Sequence, residues 1–190
     1  MKFLLPFKGL EKAKSRWPEL KGKRGDLAFR LLADNFQTVS QVVGTKEVLI
    51  VTPDPKVLKL FPQESGLLTS GGGLNQDLRM AREKLFAPET TEGLIVLLPD
   101  LPTLSRDDVE ELHCAGSNNP IVLCPDTLGV GTNAVSIRPS YALDFLFEGS
   151  SFQRYLSACQ ERALEVKVLE RPGLASDCDD LEALRRFSLL

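Results

Sequence analysis

The sequence predicts an α/β protein with three layers, in which helices cover both faces of a mostly parallel sheet. Apolar, strand-like segments alternate along the chain with longer amphipathic segments, which is the pattern of repeated βα units. The runs 47–51 and 94–98 are almost wholly aliphatic, as expected for strands buried on both faces. A length of 190 residues suits one domain, which we expect to span residues 1–190.

The first half of the chain begins with a strand and a long helix. Leu27, Leu31 and Phe36 are among the apolar positions of that helix, Arg24–Val43. Apolar runs predict four strands here and apolar periodicity predicts a second helix, with the glycine loop 70–73 between the third strand and this helix. The strands are Lys2–Phe7, Glu47–Thr52, Gly66–Thr69 and Gly93–Leu98, and the helix is Asn75–Phe86.

The second half continues the alternation. Ser105 is the predicted N-cap of the next helix, which has acidic residues in its first turn. Three shorter apolar runs predict strands, and periodic segments predict two more helices. The helices are Asp107–Cys114, Ser150–Ala163 and Asp180–Phe187, and the strands are Ile121–Cys124, Ala134–Ile137 and Leu164–Leu169.

The charge is distributed unevenly along the chain. The net charge is −3, which argues against a general DNA-coating protein, and we expect no nucleic-acid partner. Residues 1–30 nevertheless contain nine Lys or Arg and three acids, whereas residues 31–190 contain 14 and 23. The basic first segment therefore suits a small anion.

The cysteines, the histidine and the apolar runs exclude several classes. The four cysteines form no CxxC pair, so a zinc ribbon is not expected and free thiols in a reducing compartment are. His113 is the only histidine, which disfavours a Ser-His-Asp triad. Pro6 and Lys8 interrupt the first apolar stretch, and the aliphatic run 94–98 is far shorter than the ~20 residues that cross a bilayer. We therefore expect a cytoplasmic protein without a membrane partner.

Ligands of mostly parallel sheets bind beyond the carboxyl ends of the strands. The first segment at such a position has four cations, and Gly9 lets the backbone approach a ligand closely. The pattern is neither a Walker A loop nor a GxGxxG fingerprint. Either these cations bind phosphate oxygens or the segment is a solvated loop rich in lysine. The cations are Lys8, Lys12, Lys14 and Arg16.

Two further segments follow predicted strands. The glycines that end at Gly73 let the main chain pass close to a flat ligand, and the helix containing Asn75 begins there with free N–H groups. The alternative is a plain connector. Asp100 lies between Pro99 and Pro102 after a buried strand, where a carboxylate suits Mg²⁺ and substrate phosphates. The alternative for Asp100 is a turn aspartate.

Hydroxyl and acidic groups cluster at two later places. The segments 131–133 and 149–151 join glycines to hydroxyls that could donate to a phosphate or carboxylate, although ordinary turns and caps have the same composition. Asp177 and Asp179 are two residues apart and would point the same way in an extended segment. They could complete a cation site with Asp100, or they could form part of an acidic helix start.

Taken in order, these segments resemble the 2-phospho-L-lactate or phosphoenolpyruvate guanylyltransferases of coenzyme F420 biosynthesis. The resemblance covers nearly the whole chain. It rests on Lys8-Gly9 to Arg16, Gly73-Leu74-Asn75, Asp100-Leu101-Pro102, Gly131-Thr132-Asn133, Ser151-Phe152 and Asp177-Cys178-Asp179. It implies a nucleotidyltransferase fold like that of nucleotide-diphospho-sugar transferases, GTP and a small phosphorylated acid as substrates, Mg²⁺ as cofactor, and release of pyrophosphate.

The resemblance also implies roles for individual residues. Lys8, Lys14 and Asp100 would be catalytic. The remaining positions fall into three groups. Those for the nucleotide are Gly9, Lys12, Arg16, Gly73 and Asn75, those for the acid are Thr132, Asn133, Gly149 and Ser151, and those for the metal are Asp100, Asp177 and Asp179.

Four positions depart from the family pattern. The family usually has glycine at Glu148 and histidine at Tyr155, and its last motif differs at Asp180 and Ala183. These departures at Glu148 and Tyr155 favour one alternative, a nucleotide-binding relative without catalysis. A cytidylyl- or uridylyltransferase acting on a sugar phosphate, with the same fold and another nucleotide, is the other alternative. The sequence leaves open which acid is the acceptor and which of Asp177 and Asp179 binds metal. A homodimer is one expectation for a small α/β enzyme, without an interface signature.

Overall fold

A computed structural model describes residues 1–11 and 24–178, which form one seven-stranded sheet and the helices packed on it. The strands are β1 (Lys2–Pro6), β2 (Val48–Thr52), β3 (Gly66–Leu68), β4 (Leu94–Leu97), β5 (Ile121–Pro125), β6 (Thr132–Ile137) and β7 (Val166–Val168). The helices are α1 (Arg24–Val43), α2 (Pro55–Leu58), α3 (Leu74–Leu85), α4 (Arg106–Asn118), α5 (Ser151–Glu161) and α6 (Pro172–Ala175).

The strand order is β3-β2-β1-β4-β6-β5-β7. Strand β6 runs antiparallel to both of its neighbours, and the other pairs are parallel. The predicted mostly parallel sheet is therefore confirmed. Because β6 is reversed, its first residues lie at the edge where β4 and β5 end, and Leu97 of β4 pairs with Ala134 of β6.

Successive residues of the central strands point into two separate cores, as the aliphatic runs predict. In β1, Phe3 and Leu5 belong to one core and Leu4 to the other. The first core packs against α1 and α4, and the second packs against α3 and α5. The arrangement confirms the three-layer α/β/α fold. Because helices cover both faces of the sheet, apolar residues do not alternate with polar ones along the central strands.

Several predicted bounds shift. Helix α1 agrees with the prediction, whereas α4 is longer than Asp107–Cys114 because its buried face continues through Gly116. The prediction Leu164–Leu169 for β7 is too long, since Leu164 N–H closes the end of α5 on Cys159 O at 2.9 Å. The short helices α2 and α6 were not predicted, and the predicted helix Asp180–Phe187 lies outside the described residues.

The thiols of Cys114, Cys124 and Cys159 are free, as expected, and Cys124, Cys159 and Cys178 are buried. Burial raises the pKa of the Cys124 thiol above its usual range, so this side chain acts as a small apolar group in the core. Within the described ranges, no helix combines the length and the apolar composition that spanning a membrane requires.

An arginine–aspartate cluster fastens α3 to the segment that follows β6. Arg79 Nε donates to both carboxylate oxygens of Asp144 at 2.9 Å. The buried Arg82 guanidinium donates to Leu143 O at 3.0 Å and lies 4.5 Å from the centre of the Tyr141 ring. Burial alone would raise the pKa of Asp144, but the hydrogen bond from Arg79 and the charges of both arginines hold it below its usual range. This cluster sets the position of α3 beside the sheet.

We predict that Asp144→Asn lowers the free energy of unfolding by about 1 kcal/mol at pH 7, since the pair is partly exposed. The folded-state pKa is depressed, so the contribution is present above the unfolded-state value of about 3.9 and is lost as the pH falls through the folded-state value. Urea unfolding at several pH values measures it. The stabilities of the two proteins should begin to converge as the pH falls below about 4 and should become equal only below the folded-state pKa of Asp144. The exposed Glu89→Gln control should change stability by less than about 0.5 kcal/mol. A constant difference across that range would contradict the ionic origin.

Candidate active site

The predicted ligand segments do meet at one edge of the sheet, as far as the structure describes them. Strands β1, β2, β3 and β4 are parallel and end there, and the reversed β6 begins there. Leu98 N–H donates to Asn133 O at 2.8 Å, which joins the segment after β4 to the start of β6. This edge, at the carboxyl ends of the parallel strands, is the candidate active site.

The loop after β1 is held by Asp54, a residue that the sequence analysis did not assign to the site. The Asp54 carboxylate accepts from Leu10 N–H at 3.2 Å and from Lys56 N–H at 2.9 Å. Gly9 is buried against it with φ of 93°, so a Cβ there would lie 3.0 Å from Asp54 Cβ. Lys8 is exposed at the start of this loop. An aspartate at a strand end, followed by proline as the first helical residue, is a signal that could have found it.

Four predicted residues cannot be placed on this edge, because they lie outside the described residues. They are Lys12, Lys14, Arg16 and Asp179.

The glycine loop before α3 lies against the end of β2. Gly71 has φ of 76° and packs on Pro53, and its N–H donates to the buried Asp77 carboxylate at 3.0 Å. Gly73, with φ of 115°, is the N-cap of α3, and no atom of residues 1–11 or 24–178 lies within 4 Å of the position that a Cβ would take. Asn75 is buried, and its side-chain oxygen accepts from Phe147 N–H at 2.9 Å. Asn75 thus joins the start of α3 to the segment before α5.

Asp100 lies where the C-terminal segment returns to the sheet. Cys178 N–H donates to the carbonyl oxygen of Asp100 at 3.0 Å, which brings Asp177 to the end of β4. Asn35 of α1 donates to Pro99 O at 3.2 Å and so fixes the residue before Asp100. The main chain therefore brings together the segments that carry two of the three aspartates that the sequence assigned to a metal.

The donor set fits a divalent cation that also binds substrate phosphates. Among the described residues, no three His, Cys, Asp or Glu side chains form a group that could hold a metal ion. Carboxylate oxygens are hard ligands, and Mg²⁺ is commonly held by one or two carboxylates plus phosphate oxygens and water. Asp100 and Asp177 match that smaller set, whereas a structural metal cage does not.

The predicted acid-binding residues lie around the start of α5. Ser151 Oγ donates to Thr132 Oγ1 at 3.1 Å, and both side chains are buried. Gly149 is exposed with φ of 57°, two residues before Ser151. The β5–β6 loop is tied to the same place, because Phe152 N–H donates to Val130 O at 3.1 Å. Two hydroxyls and a glycine turn next to a helix start are suitable donors for an anion.

The β5–β6 loop is organised by a second unassigned aspartate. Asp126 accepts from Val130 N–H at 2.9 Å and from Gly131 N–H at 2.7 Å. A Cβ on Gly131 would lie 2.7 Å from the Asp126 carboxylate, so a larger residue here would have to displace that carboxylate from the N–H groups that donate to it. The loop therefore reaches Thr132 in one fixed conformation. An Asp-x-x-Gly-x-Gly turn between two short strands is the signal that the sequence offers for it.

Two departures from the family pattern now have structural positions. Tyr155 is wholly buried, its hydroxyl accepts from Leu146 N–H at 2.9 Å, and its ring packs edge-on against Phe147 at 5.6 Å. Burial, the largest cause, raises the Tyr155 pKa above its usual range. Glu148 has an exposed side chain, and its carbonyl oxygen accepts from Arg154. Tyr155 therefore lies in the core below the start of α5 and supports the segment 146–147.

The sheet order, the two helical layers and the edge site define the class of nucleotidyltransferase folds. The structure is similar to a 4-diphosphocytidyl-2C-methyl-D-erythritol synthase from Anaerococcus prevotii, with a TM-score of 0.61 and 13% identity, covering 99% of this chain and 96% of that one. It is also similar to a Mycobacterium tuberculosis protein solved in complex with manganese, with a TM-score of 0.59 and 14% identity, covering 98% and 96%. At such low sequence identities, the structural similarity to these two proteins shows that the fold is shared.

The particular family follows from the sequence relatives. The model of the family described as "Guanylyl transferase CofC like" matches residues 1–189, and the chain belongs to this family. A phosphoenolpyruvate guanylyltransferase of Rubrobacter xylanophilus is 36% identical over 97% of this chain and 91% of its own length. One from Sphaerobacter thermophilus is 32% identical over 95% and 90%. A 2-phospho-L-lactate guanylyltransferase of Methanopyrus kandleri is 29% identical over 100% and 92%.

We predict that Asp54→Ala and Asp54→Asn separate two roles of this carboxylate. Alanine removes both contacts and should cost about 1 kcal/mol of stability through loss of the N-cap. Asparagine keeps a good N-cap oxygen for Lys56 N–H but has one acceptor atom in place of two. Amide hydrogen exchange should therefore become faster at Leu10 in both variants and at Lys56 only in Asp54→Ala. Unchanged exchange at Leu10 in both variants would show that Asp54 does not hold the loop.

Proposed function

We propose that this chain is a guanylyltransferase that transfers GMP from GTP to phosphoenolpyruvate or 2-phospho-L-lactate and releases pyrophosphate, in the biosynthesis of coenzyme F420. The observation that most supports the proposal is the hydrogen bond from Cys178 to Asp100, since it joins two carboxylate-bearing segments at the strand-end edge. The family membership and the names of the relatives support the same reaction.

The nucleotide would bind between the β1 loop and the glycine loop. Lys8, together with Lys12, Lys14 and Arg16 farther along the same segment, would neutralise the triphosphate. Gly9 and Gly73 would let the main chain approach the nucleotide, and Asn75 would lie beside the nucleoside. The start of the β1 loop is fixed at Leu10 by Asp54 and the glycine loop is fixed by Asp77, so these two parts of the site would be ordered before GTP arrives.

Asp100 would hold the cofactor Mg²⁺ with Asp177, and Asp179 is a further candidate ligand. The bound cation would supply neutralisation of phosphate charge and fixed placement of the oxygens in line. The repulsion between two polyanionic substrates is the main barrier to their reaction, so opposing charge at this edge is the chain's principal contribution.

The acid would bind beside the start of α5. The Thr132 and Ser151 hydroxyls and the backbone around Gly149 would hold its phosphate. A phosphate oxygen of the acid would then attack the α-phosphorus of GTP, forming the new P–O bond as the bond to the β-phosphate oxygen breaks. Pyrophosphate would leave with that electron pair. The attacking oxygen is already ionised at neutral pH, so a chain with one histidine needs no general base.

We further propose that residues 1–190 form one nucleotidyltransferase domain and that the enzyme is cytoplasmic, since free thiols suit a reducing compartment. A homodimer stays a prediction.

The acceptor and the nucleotide are tested together by measuring pyrophosphate release with each of the four nucleoside triphosphates and with phosphoenolpyruvate, 2-phospho-L-lactate and 3-phosphoglycerate. Release with CTP or UTP and a sugar phosphate would favour the alternative reaction. GTP binding without release would favour the inactive relative.

We predict that Asp100→Asn lowers kcat for pyrophosphate release with GTP and phosphoenolpyruvate by about 100-fold or more at saturating Mg²⁺. The loss comes from one missing negative charge at the metal, so the fold should persist, as circular dichroism would verify. The matched control is Asp107→Asn, an exposed aspartate on α4, which should retain wild-type turnover. Near wild-type turnover of Asp100→Asn would refute its assignment.

We predict that Ser151→Ala raises KM for the acid about tenfold, because a hydroxyl bonded to a charged phosphate contributes about 1.5–3 kcal/mol. KM for GTP should stay within about twofold, because the nucleotide would bind on the other side of β4. Ser157→Ala, on the exposed face of the same helix, serves as the control. Steady-state kinetics with each substrate varied in turn gives the comparison. A rise in KM for GTP alone would move Ser151 to the nucleotide side.

A further inference from the structure

The last described segment, residues 169–178, crosses the strand ends and is called the strap here. Leu169 N–H donates to Leu123 O of β5 at 2.9 Å, which is where the strap begins. Thr127 then donates to Ala175 O through its N–H and its hydroxyl, both at 3.1 Å. The strap ends at Cys178, which donates to Asp100 O. It therefore passes from the end of β5 to the end of β4 and brings Asp177 with it.

Asn133 holds the middle of the strap. This residue is 2% exposed, and its side-chain Nδ2 donates to Leu174 O at 3.0 Å and to Ala175 O at 3.1 Å. A primary amide has two N–H groups, so these two bonds use both of them. The Asn133 side-chain amide nitrogen is thus committed to the strap, and its own main chain is fixed by the sheet through Leu98 N–H.

The other end of the strap is fastened to α4. Arg171 donates to the buried Asp108 carboxylate at 2.9 Å and lies 2.8 Å from Glu111. Burial alone would raise the pKa of Asp108, but the hydrogen bonds from Ser105 and Arg171 hold it below its usual range. A Cβ on Gly173 would collide with the Asp108 carboxylate, so the strap fits closely against the start of α4. With Arg171 fixed at one end, the contacts of Asn133 and Thr127 set the direction of the chain toward Asp177, and Asn133 is the buried one of the two.

We propose that Asn133 is a positioning residue that sets the metal affinity of the Asp100–Asp177 pair by holding the strap. This role differs from the acid-binding role that the resemblance implies for Asn133, and it rests on the proposed function only for the presence of a divalent cation. Asn133 would touch neither the metal nor a substrate. Residues that contact metal ligands without contacting the metal orient those ligands, and loss of such a residue typically lowers the metal affinity about 10–100-fold.

The test measures Mn²⁺ binding to the purified full chain by electron paramagnetic resonance, without GTP or acid. Asn133→Leu keeps much of the side-chain volume and removes both donors. We expect its Kd for Mn²⁺ to rise about 10–100-fold. Thr127→Val removes the hydrogen bond that the Thr127 hydroxyl donates to the strap. Because Thr127 is exposed, this variant should fold normally, and its Kd for Mn²⁺ should rise about two- to fivefold. Asn119→Ala is the control, since its amide donates to Ala115 O at the opposite end of β5.

Amide hydrogen exchange of the metal-free proteins gives a second readout. Exchange at Cys178 should become faster in Asn133→Leu and Thr127→Val, and it should be unchanged in Asn119→Ala. Wild-type Kd and unchanged Cys178 exchange in a folded Asn133→Leu would overturn the inference and leave the proposed function intact. Wild-type protein that binds no Mn²⁺ would overturn this inference together with the metal assignment. Equal weakening in Asn119→Ala would also overturn it, because the effect would then be global.

Discussion

The hydrogen bond between Cys178 N–H and Asp100 O is the contact on which the candidate site depends. Asp100 lies in the segment that follows the central strand β4, whereas Asp177 comes from the last described segment of the chain, so only the tertiary fold brings these two segments together. A carboxylate at the end of a buried strand is costly unless opposite charge or a cation compensates it. The strap supplies the second carboxylate that a shared cation would need.

The reversed direction of β6 is what makes this geometry possible. If β6 were parallel to β4, Thr132 and Asn133 would lie at the opposite edge of the sheet. Because it is antiparallel, its first residues lie beside the end of β4, and Asn133 can reach the strap while Thr132 reaches Ser151. One strand direction therefore places the acid-binding pair and the anchor of the strap at the same edge.

Buried or half-buried aspartates order the loops at this edge. Asp54, Asp77 and Asp126 each accept a main-chain N–H from the loop beside them, at 3.2, 3.0 and 2.7 Å. Each loop also contains a glycine that the sharp turn or the close approach requires. Loops fixed in this way lose little entropy when a ligand binds, which favours a preorganised site. These aspartates thus have a structural role that differs from the role proposed for Asp100 and Asp177.

The sequence predicted the fold class because the spacing of apolar residues and the aliphatic composition of the strands depend directly on burial. The runs 47–51 and 94–98 had to be covered on both faces, and the Arg24–Val43 helix followed from its apolar positions and was confirmed. The contacts of Asp54, Asp126 and Asn133 could not be predicted, since each depends on which strand ends are neighbours. No local pattern reports that β6 is reversed. The roles of Thr132, Gly149 and Ser151 came from resemblance, and they stay predictions.

A double-mutant cycle on Mn²⁺ affinity tests the shared metal site most directly. The Kd for Mn²⁺ would be measured for wild type, Asp100→Asn, Asp177→Asn and the double variant, with circular dichroism verifying that each is folded. If the two carboxylates hold one cation, each single change weakens binding about tenfold or more, and the double change weakens it by less than the product of the two. Wild-type affinity in either single variant would contradict a site shared by Asp100 and Asp177.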